Sequence, residues 1–177
     1  MISDEYKKDS FKQDYSGKEK IEGVEIIELK DFSDDSGNFA EVVRLNGGKV
    51  DGVKGFEAKQ VNWSFMLPEA VKATHYHLEQ EDLFFVPPTD RLLIGLKDIR
   101  EGSKTYDQIM RLTLGAGKAK ILRVPKGVAH GMANLSDKPA NIFYLVSNQF
   151  NSDPEKNDEH RLPPDIFGEN FWEIEKA

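Results

Sequence analysis

The chain has 177 residues, of which 38% are hydrophobic and 31% are charged, a composition typical of one soluble globular domain. Its net charge of −7 argues against nucleic-acid binding through a broad basic face, and the absence of cysteine excludes disulfides, thiol catalysis and cysteine-ligated zinc. The N-terminus has no apolar segment typical of a signal peptide, and no run approaches the ~18 apolar residues of a membrane span, so we expect a cytoplasmic protein without a membrane partner.

Residues 1–20 are highly charged and show no regular apolar period. They predict a partly mobile N-terminal arm with a short ordered piece around Phe11 and Tyr15. Residues 21–177 are then expected to form a single domain.

After the arm, short apolar or alternating runs separated by turn signals predict a series of β-strands. These runs are residues 23–29, 39–45, 56–66, 72–78, 82–88, 90–99, 108–114, 118–125, 129–135 and 141–147. A dense turn, SDDSGN, is expected at 33–38. About ten short strands at this spacing indicate an all-β sandwich or barrel, and a jelly roll is the version of this size with a central pocket. The tail from residue 162 predicts a helical turn or a docking segment anchored by Phe171 and Trp172.

Two histidine clusters stand out along the predicted strands. In THYHLEQE, His75 and His77 are two residues apart, so they point to one face of a strand. If the strand stays regular, Glu81 and Leu83 share that face. In PKGVAHGMAN, a Pro–Gly turn precedes a strand that carries His130.

Together, H-x-H-x3-E and P-x-G-x2-H-x3-N resemble the two motifs of the cupins, which implies a cupin-type jelly roll, or double-stranded β-helix. In metal-binding cupins, the corresponding ligands would be His75, His77, Glu81 and His130. Three imidazoles and one carboxylate suit a divalent transition metal. The alternative is a cupin pocket that keeps these histidines without a metal, and the residue pattern leaves both readings open.

A longer resemblance covers about residues 23–150. It rests on six segments in order: DDSGNFAEVVR (34–44), KQVNWS (59–64), KATHYH (72–77), DIREGSKTY (98–106), VPKGVAHGMANLS (124–136) and NIFYLVSNQF (141–150). They resemble motifs of the dTDP-4-dehydrorhamnose 3,5-epimerase family, whose members are metal-free cupins. The resemblance implies a homodimeric enzyme that acts on a nucleotide-linked 4-keto-6-deoxy sugar without a cofactor.

In such a sugar the C3 and C5 protons are acidic because they flank a carbonyl. A base removes one proton, an enolate forms, and an acid on the other face returns a proton. The resemblance makes His75 the base, Tyr144 the acid, and Lys72 the cation that stabilises the enolate oxygen. The residues that it implies for substrate binding are Glu41, Arg44, Gln60, Asn62, Ser64 and His130.

The sequence also departs from the family pattern. The second pocket lysine of the family aligns with Leu83, which by parity shares a face with His75. The family pairs its catalytic histidine with a C-terminal aspartate, for which Asp165 is the nearest candidate. A divalent metal held by His77 and its neighbours could replace the lysine as a Lewis acid. Two further alternatives are a metal-dependent cupin enzyme of another class and a non-catalytic cupin that binds a sugar.

Overall fold

The structure is a computed structural model that describes residues 2–12 and 20–174. Near the N-terminus, Asp4–Lys8 forms a short helix (α1) that buries none of its side chains. This ordered piece precedes the predicted position, since Phe11 is exposed outside the helix and Tyr15 lies outside the described residues. Within the described residues a membrane-spanning helix is absent, because none combines the required length with sufficient apolar character.

Two five-stranded antiparallel sheets form the body of the domain. From edge to edge, the first sheet consists of β1 (Glu25–Glu28), β11 (Lys120–Val124), β8 (Asp82–Phe85), β13 (Ala140–Val146) and β6 (Gln60–Met66). The second consists of β10 (Ile109–Gly115), β9 (Arg91–Asp98), β12 (Val128–Ala133), β7 (Val71–Tyr76) and β14 (His160–Arg161). Two separate hairpins are β2 (Asp31–Asp34) with β3 (Gly37–Ala40), and β4 (Leu45–Asn46) with β5 (Lys49–Val50). The predicted all-β jelly-roll architecture is confirmed.

The main apolar core lies between the two sheets, where alternating residues of each strand point inward. Phe84 of β8 and Ile94 of β9 are among its fully buried members. A second apolar cluster covers the other face of the first sheet, where Leu83 and Phe85 pack with Phe56. Strand β8 is therefore buried on both faces, and its successive residues belong to different environments.

The predicted strand at residues 39–45 is wrong. The expected turn forms, and the Asp34 carboxylate accepts a hydrogen bond from the backbone N–H of Ser36 at 2.7 Å. This turn pairs β2 with β3, and the Phe32 and Phe39 rings lie 6.5 Å apart across the hairpin. The strand after the turn therefore begins at the turn itself and ends at residue 40, after which the chain is irregular until β4.

The C-terminal tail docks on the outer face of the second sheet. Pro164–Phe167 forms a 3₁₀ turn, and the ring of Phe171 lies 4.7 Å from Phe167 and 4.8 Å from Trp172. Gly95 of β9 makes room for these rings, because a Cβ at that position would lie 2.6 Å from the ring of Phe171. The predicted helical turn and aromatic docking segment are confirmed.

Candidate active site

A cavity of about 540 Å³ lies between the two sheets, and both sheets line it. The first sheet contributes Asn62, Asp82 and Tyr144, and the second contributes Lys72 and His75. Much of the remaining wall belongs to the segment between β13 and β14, with the lining residues Asn148, Gln149, Phe150, Asn151, Lys156, Asn157, Asp158 and Glu159. The three predicted catalytic side chains, Lys72, His75 and Tyr144, thus meet in one cavity.

The antiparallel pairing of β7 with β12 places His75 directly opposite His130. Their Nε2 atoms lie 2.9 Å apart. Nδ1 of His130 lies 2.9 Å from the carbonyl oxygen of Val128, which can only accept, so this nitrogen carries the hydrogen. In neutral His130 the lone pair is therefore on Nε2, and Nε2–H of His75 donates to it. The lone pair of His75 is then on Nδ1, for which the described residues provide no hydrogen-bond partner.

The surroundings of His75 keep its imidazole neutral. The pKa of His75 is lowered to about 2, and burial is the largest cause. The neighbouring imidazoles of His130 and His77 and the Arg161 guanidinium lower it further, in that order. The pKa thus lies well below the ordinary imidazole value of about 6.5. At neutral pH the ring is available to accept a proton, although it is a weaker base than an unperturbed imidazole.

The predicted carboxylate partner Glu81 does not reach the histidines. Strand β7 ends at Tyr76, and the connection to β8 is irregular. The alternation of side chains between two faces therefore does not continue from β7 into β8. Glu81 instead forms an ion pair with Arg123 at 2.7 Å. Asp82 takes its place, with a carboxylate oxygen 3.4 Å from Nε2 of His130 and 3.7 Å from Nε2 of His77.

Leu83 also lies on the opposite face from the one predicted. It is fully buried in the second apolar cluster, whereas its neighbours Asp82 and Phe84 line the cavity. The expectation of an apolar leucine beside His75 is therefore wrong. The pocket-facing group at this place is a carboxylate.

Asp158 holds the connection between β7 and β8 in place. Its carboxylate accepts hydrogen bonds from the backbone N–H groups of Leu78, Glu79 and Gln80, at 3.0, 2.8 and 2.8 Å. Its backbone carbonyl lies 2.7 Å from Nδ1 of His77. This one residue fixes both the path of the connection and the orientation of the His77 ring.

Four side chains at the base of the cavity could hold a metal ion. One ligand atom each from His75, His77, Asp82 and His130 lies within 4.8 Å of the others. The set matches the predicted one in its three histidines and differs in the carboxylate, which is Asp82 instead of Glu81.

Tyr144 faces this cluster from β13 of the first sheet. Its hydroxyl is hydrogen-bonded to the Ser64 side chain, which in turn accepts from Nζ of Lys72. Burial raises the pKa of Tyr144, the Ser64 hydrogen bond partly opposes this, and the charges of Asp82 and Glu159 raise it further. The phenol is therefore protonated at neutral pH and is connected to a cation through one hydroxyl.

The predicted substrate-binding residues lie in three different places. On β6, Gln60 donates from Nε2 to the Asn62 side chain at 2.5 Å, and Asn62 lines the cavity. His130 is buried behind His75 and does not line it. Glu41 and Arg44 form an exposed ion pair with each other at 2.8 Å, outside the cavity lining of this chain.

The residues that sequence reasoning missed come mostly from the segment before and within β14. Arg161 is paired with His75 across β14 and β7, and it lines the cavity with Asp158 and Glu159. The proposed acidic partner Asp165 lies further on, exposed in the 3₁₀ turn. The cluster of charges at 158–161 was visible in the sequence, but nothing local indicated that it packs beside His75.

The sequence of the chain is similar to those of one protein family. The family model described as dTDP-4-dehydrorhamnose 3,5-epimerase matches residues 18–162. The spore coat polysaccharide biosynthesis protein SpsL of Bacillus subtilis is 38% identical over 145 residues, which cover 82% of this chain and 91% of that protein.

Solved structures agree with the sequence comparison. A dTDP sugar isomerase from Desulfovibrio desulfuricans superimposes with a TM-score of 0.71 at 26% identity, covering 88% of this chain and 91% of that one. An epimerase from Legionella pneumophila in complex with dTDP-4-keto-L-rhamnose gives a TM-score of 0.68 at 25% identity, covering 89% and 82%. The chain belongs to the dTDP-4-dehydrorhamnose 3,5-epimerase family.

Proposed function

We propose that this protein is a carbohydrate epimerase that acts on a nucleotide-activated, dTDP-type 4-keto-6-deoxy sugar by proton abstraction next to the ketone. Family membership supports the reaction class, and it disfavours a metal-dependent cupin of another class or a non-catalytic sugar-binding cupin. The observation that carries the proposal is the position of His75 and Tyr144. They line one cavity from opposite sheets, one as a neutral imidazole and the other as a protonated phenol.

In the proposed reaction, Nδ1 of His75 accepts a proton from the carbon next to the ketone. The electron pair of the broken C–H bond moves into the enolate, whose negative charge falls on the former ketone oxygen. Tyr144 then donates its proton to the same carbon from the other face and inverts it, and solvent restores both side chains. General acid–base catalysis of this kind contributes roughly 10²–10⁴ in rate.

Lys72 supplies the positive charge in this scheme. Its ammonium lies in the cavity wall and donates to Ser64, which bonds to Tyr144. A fixed cation near the enolate oxygen stabilises the charge that develops there, and removal of one such donor costs about 10²–10³ in rate. Asn62 lines the same cavity, and with Gln60 and Ser64 it is proposed to hold the substrate.

The proposed assembly is a homodimer in the cytoplasm that uses no cofactor. The edge strand β6 supports a second copy, because Val61, Trp63 and Phe65 are 59%, 60% and 46% exposed on one face of it. Such an apolar stripe on a sheet edge is typical of an interface. Glu41 and Arg44 lie outside the cavity of their own chain. In the proposed dimer they would bind the substrate in the cavity of the second copy.

Deuterium exchange tests the activity directly. The protein is incubated in D₂O with dTDP-4-keto-6-deoxyglucose, and deuterium at C3 and C5 is followed by NMR. We expect exchange with the wild type and none with His75→Asn. His160→Asn is the matched control, because His160 stacks on Tyr76 outside the cavity lining. Absence of exchange with the wild type, while a known epimerase exchanges under the same conditions, would refute the proposed function.

Size-exclusion chromatography with light scattering tests the dimer. We expect the wild type at twice the mass of the chain and Trp63→Glu at the mass of one chain, because a buried glutamate would oppose association. A wild type that runs as a monomer at micromolar concentration would contradict the proposed assembly.

A further inference from the structure

Gln80 lines the cavity, although the proposed proton transfer does not use it. It lies in the connection between β7 and β8, where its backbone N–H donates to the Asp158 carboxylate at 2.8 Å. Its side chain is partly buried beside His77 and Asp82, whereas the side chain of its neighbour Glu79 is exposed outside the cavity lining. Gln80 is therefore a pocket residue whose backbone is held in place.

Two acceptors fix the orientation of the Gln80 amide. Its Nε2 lies 2.8 Å from Oδ1 of Asp82 and 3.2 Å from Nε2 of His77. Nδ1 of His77 donates to the carbonyl oxygen of Asp158, so Nε2 of the neutral ring carries a lone pair. The two N–H bonds of the amide thus have one acceptor each. A rotated amide would place its oxygen against a carboxylate and a lone pair, so the nitrogen is the atom on this side.

The other atom of the amide, Oε1 of Gln80, is a preorganised hydrogen-bond acceptor. The described part of the chain offers it no donor. Among the described residues, Oγ1 of Thr74 is the one fully buried side-chain atom that lacks a partner, so Oε1 of Gln80 is open to the cavity. An amide oxygen in such a place takes its hydrogen bond from water or from the molecule that fills the cavity.

The proposed substrate offers few donors to such an acceptor. A 4-keto-6-deoxy sugar that is linked to its nucleotide through C1 has free hydroxyls on C2 and C3 only. Two other acceptors of the cavity are already engaged, because Nδ1 of His75 takes the carbon-bound proton and Oδ1 of Asn62 accepts from Gln60 at 2.5 Å. Oε1 of Gln80 is thus a neutral acceptor at the base of the cavity that suits a hydroxyl of the sugar ring.

We propose that Oε1 of Gln80 accepts a hydrogen bond from a ring hydroxyl of the substrate, on C2 or C3, and that this bond makes the cavity selective for sugars that keep the hydroxyl. The identity of the sugar rests on the proposed function. A site built to bind a hydroxyl rejects the analogue that lacks it, because the acceptor in the protein is then left unpaired. The expected selectivity is about 10–100-fold.

Equilibrium binding tests the hydrogen bond without reference to catalysis. Calorimetric titration gives the Kd of dTDP-6-deoxyglucose, which has no ketone and does not react, and of its 2-deoxy and 3-deoxy analogues. We expect the wild type to bind one of the two analogues about 10–100-fold more weakly than the parent, and Gln80→Met to lose this difference. Glu79→Gln is the matched control and should keep it, since Glu79 pairs with Lys126 outside the cavity lining. Equal Kd values in the wild type, no measurable binding, or a difference that survives in Gln80→Met would overturn the proposal.

Kinetics separate contact with the substrate from positioning of other side chains. Gln80→Met also removes hydrogen bonds to Asp82 and His77, so a lower rate alone does not identify a contact. The informative quantity is the ratio of kcat/KM for the ketone substrate to that for its deoxy analogue, from deuterium uptake at C5. We expect this ratio to fall about 10–100-fold in Gln80→Met and to keep its wild-type value in Asp82→Asn, which slows both substrates alike. Equal slowing of both substrates by Gln80→Met would reduce Gln80 to a positioning residue and overturn the proposal.

The two assays also distinguish this proposal from the proposed function. A wild type that exchanges its ketone substrate but shows no selectivity for the hydroxyl refutes the role of Gln80 alone. A wild type that shows no exchange refutes the proposed function, and the calorimetric titration still decides the role of Gln80.

Discussion

The carboxylate of Asp82 lies 3.4 Å from Nε2 of His130, whose other contact at that nitrogen is the Nε2 of His75 at 2.9 Å. A carboxylate, a buried imidazole and the proposed catalytic base thus form a continuous chain. Asp82 occupies the position from which it can stabilise positive charge that the histidines acquire during proton transfer.

Replacement of Asp82 by Asn tests this chain. An amide cannot stabilise an imidazolium as a carboxylate does, so we expect kcat for exchange to fall by about 10-fold or more, with KM nearly unchanged. Glu81→Gln is the control, because Glu81 pairs with Arg123 outside the cavity. An equal fall of the apparent kcat in both variants would point to a loss of folded protein instead, which circular dichroism would reveal.

The protonation state of Tyr144 predicts the alkaline side of the pH profile. Burial raises the pKa of the phenol above its ordinary value of about 10, and an acid must be protonated to act. The activity that requires protonated Tyr144 should therefore decline only when the pH rises above about 10. In Tyr144→Phe we expect loss of the inverted product by about 10²–10⁴, while exchange on the His75 side continues. Full epimerisation by this variant would exclude Tyr144 as the acid.

Asp98 predicts how the stability of the fold depends on pH. Burial alone would raise its pKa, but hydrogen bonds from Arg100, Ser103 and Thr105 outweigh this and lower it. The folded pKa lies below the unfolded value of about 3.9. The ionised carboxylate therefore contributes stability above that value, and the contribution is lost as the pH falls through the folded pKa.

The variant Asp98→Asn checks this linkage by urea denaturation. At pH 7 we expect the free energy of unfolding to fall by about 3 kcal/mol, because the Arg100 charge loses its partner. Between about pH 4 and 2 the wild type should lose stability more steeply than the variant. Glu101→Gln, at an exposed neighbouring position, should follow the wild-type curve.

Gly95→Ala tests the docking of the C-terminal tail. The added Cβ would lie 2.6 Å from the ring of Phe171 and 2.8 Å from that of Trp172, so the aromatic cluster must move. Overpacking of this kind typically costs about 1–3 kcal/mol, measured as a loss in unfolding free energy. In the double variant with Phe171→Ala the cost should be smaller than the sum of the two single losses. Additive losses would show that Gly95 and Phe171 do not interact.

The sequence was sufficient to predict most strands, because their alternation and the turn signals between them are local properties. It also predicted that His75, Lys72 and Tyr144 meet in one cavity, since the family resemblance carries information about distant contacts. It failed at Glu81 and Leu83 because parity was extended through a connection that is not a strand. The path of that connection depends on Asp158, about 80 residues further along the chain, and no local pattern encodes such a contact.

The length of the irregular connection between β7 and β8 determines which side chains of β8 face the cavity. Because successive residues of β8 face opposite sides, a change of one residue in the length of this connection would exchange the side chains that the cavity receives. Asp82 and Phe84 would give way to Leu83 and Phe85, and the polar base of the cavity would become apolar. A single insertion or deletion in the connection that follows His75 would thus replace the polar base of the cavity by an apolar one without a substitution in the strand.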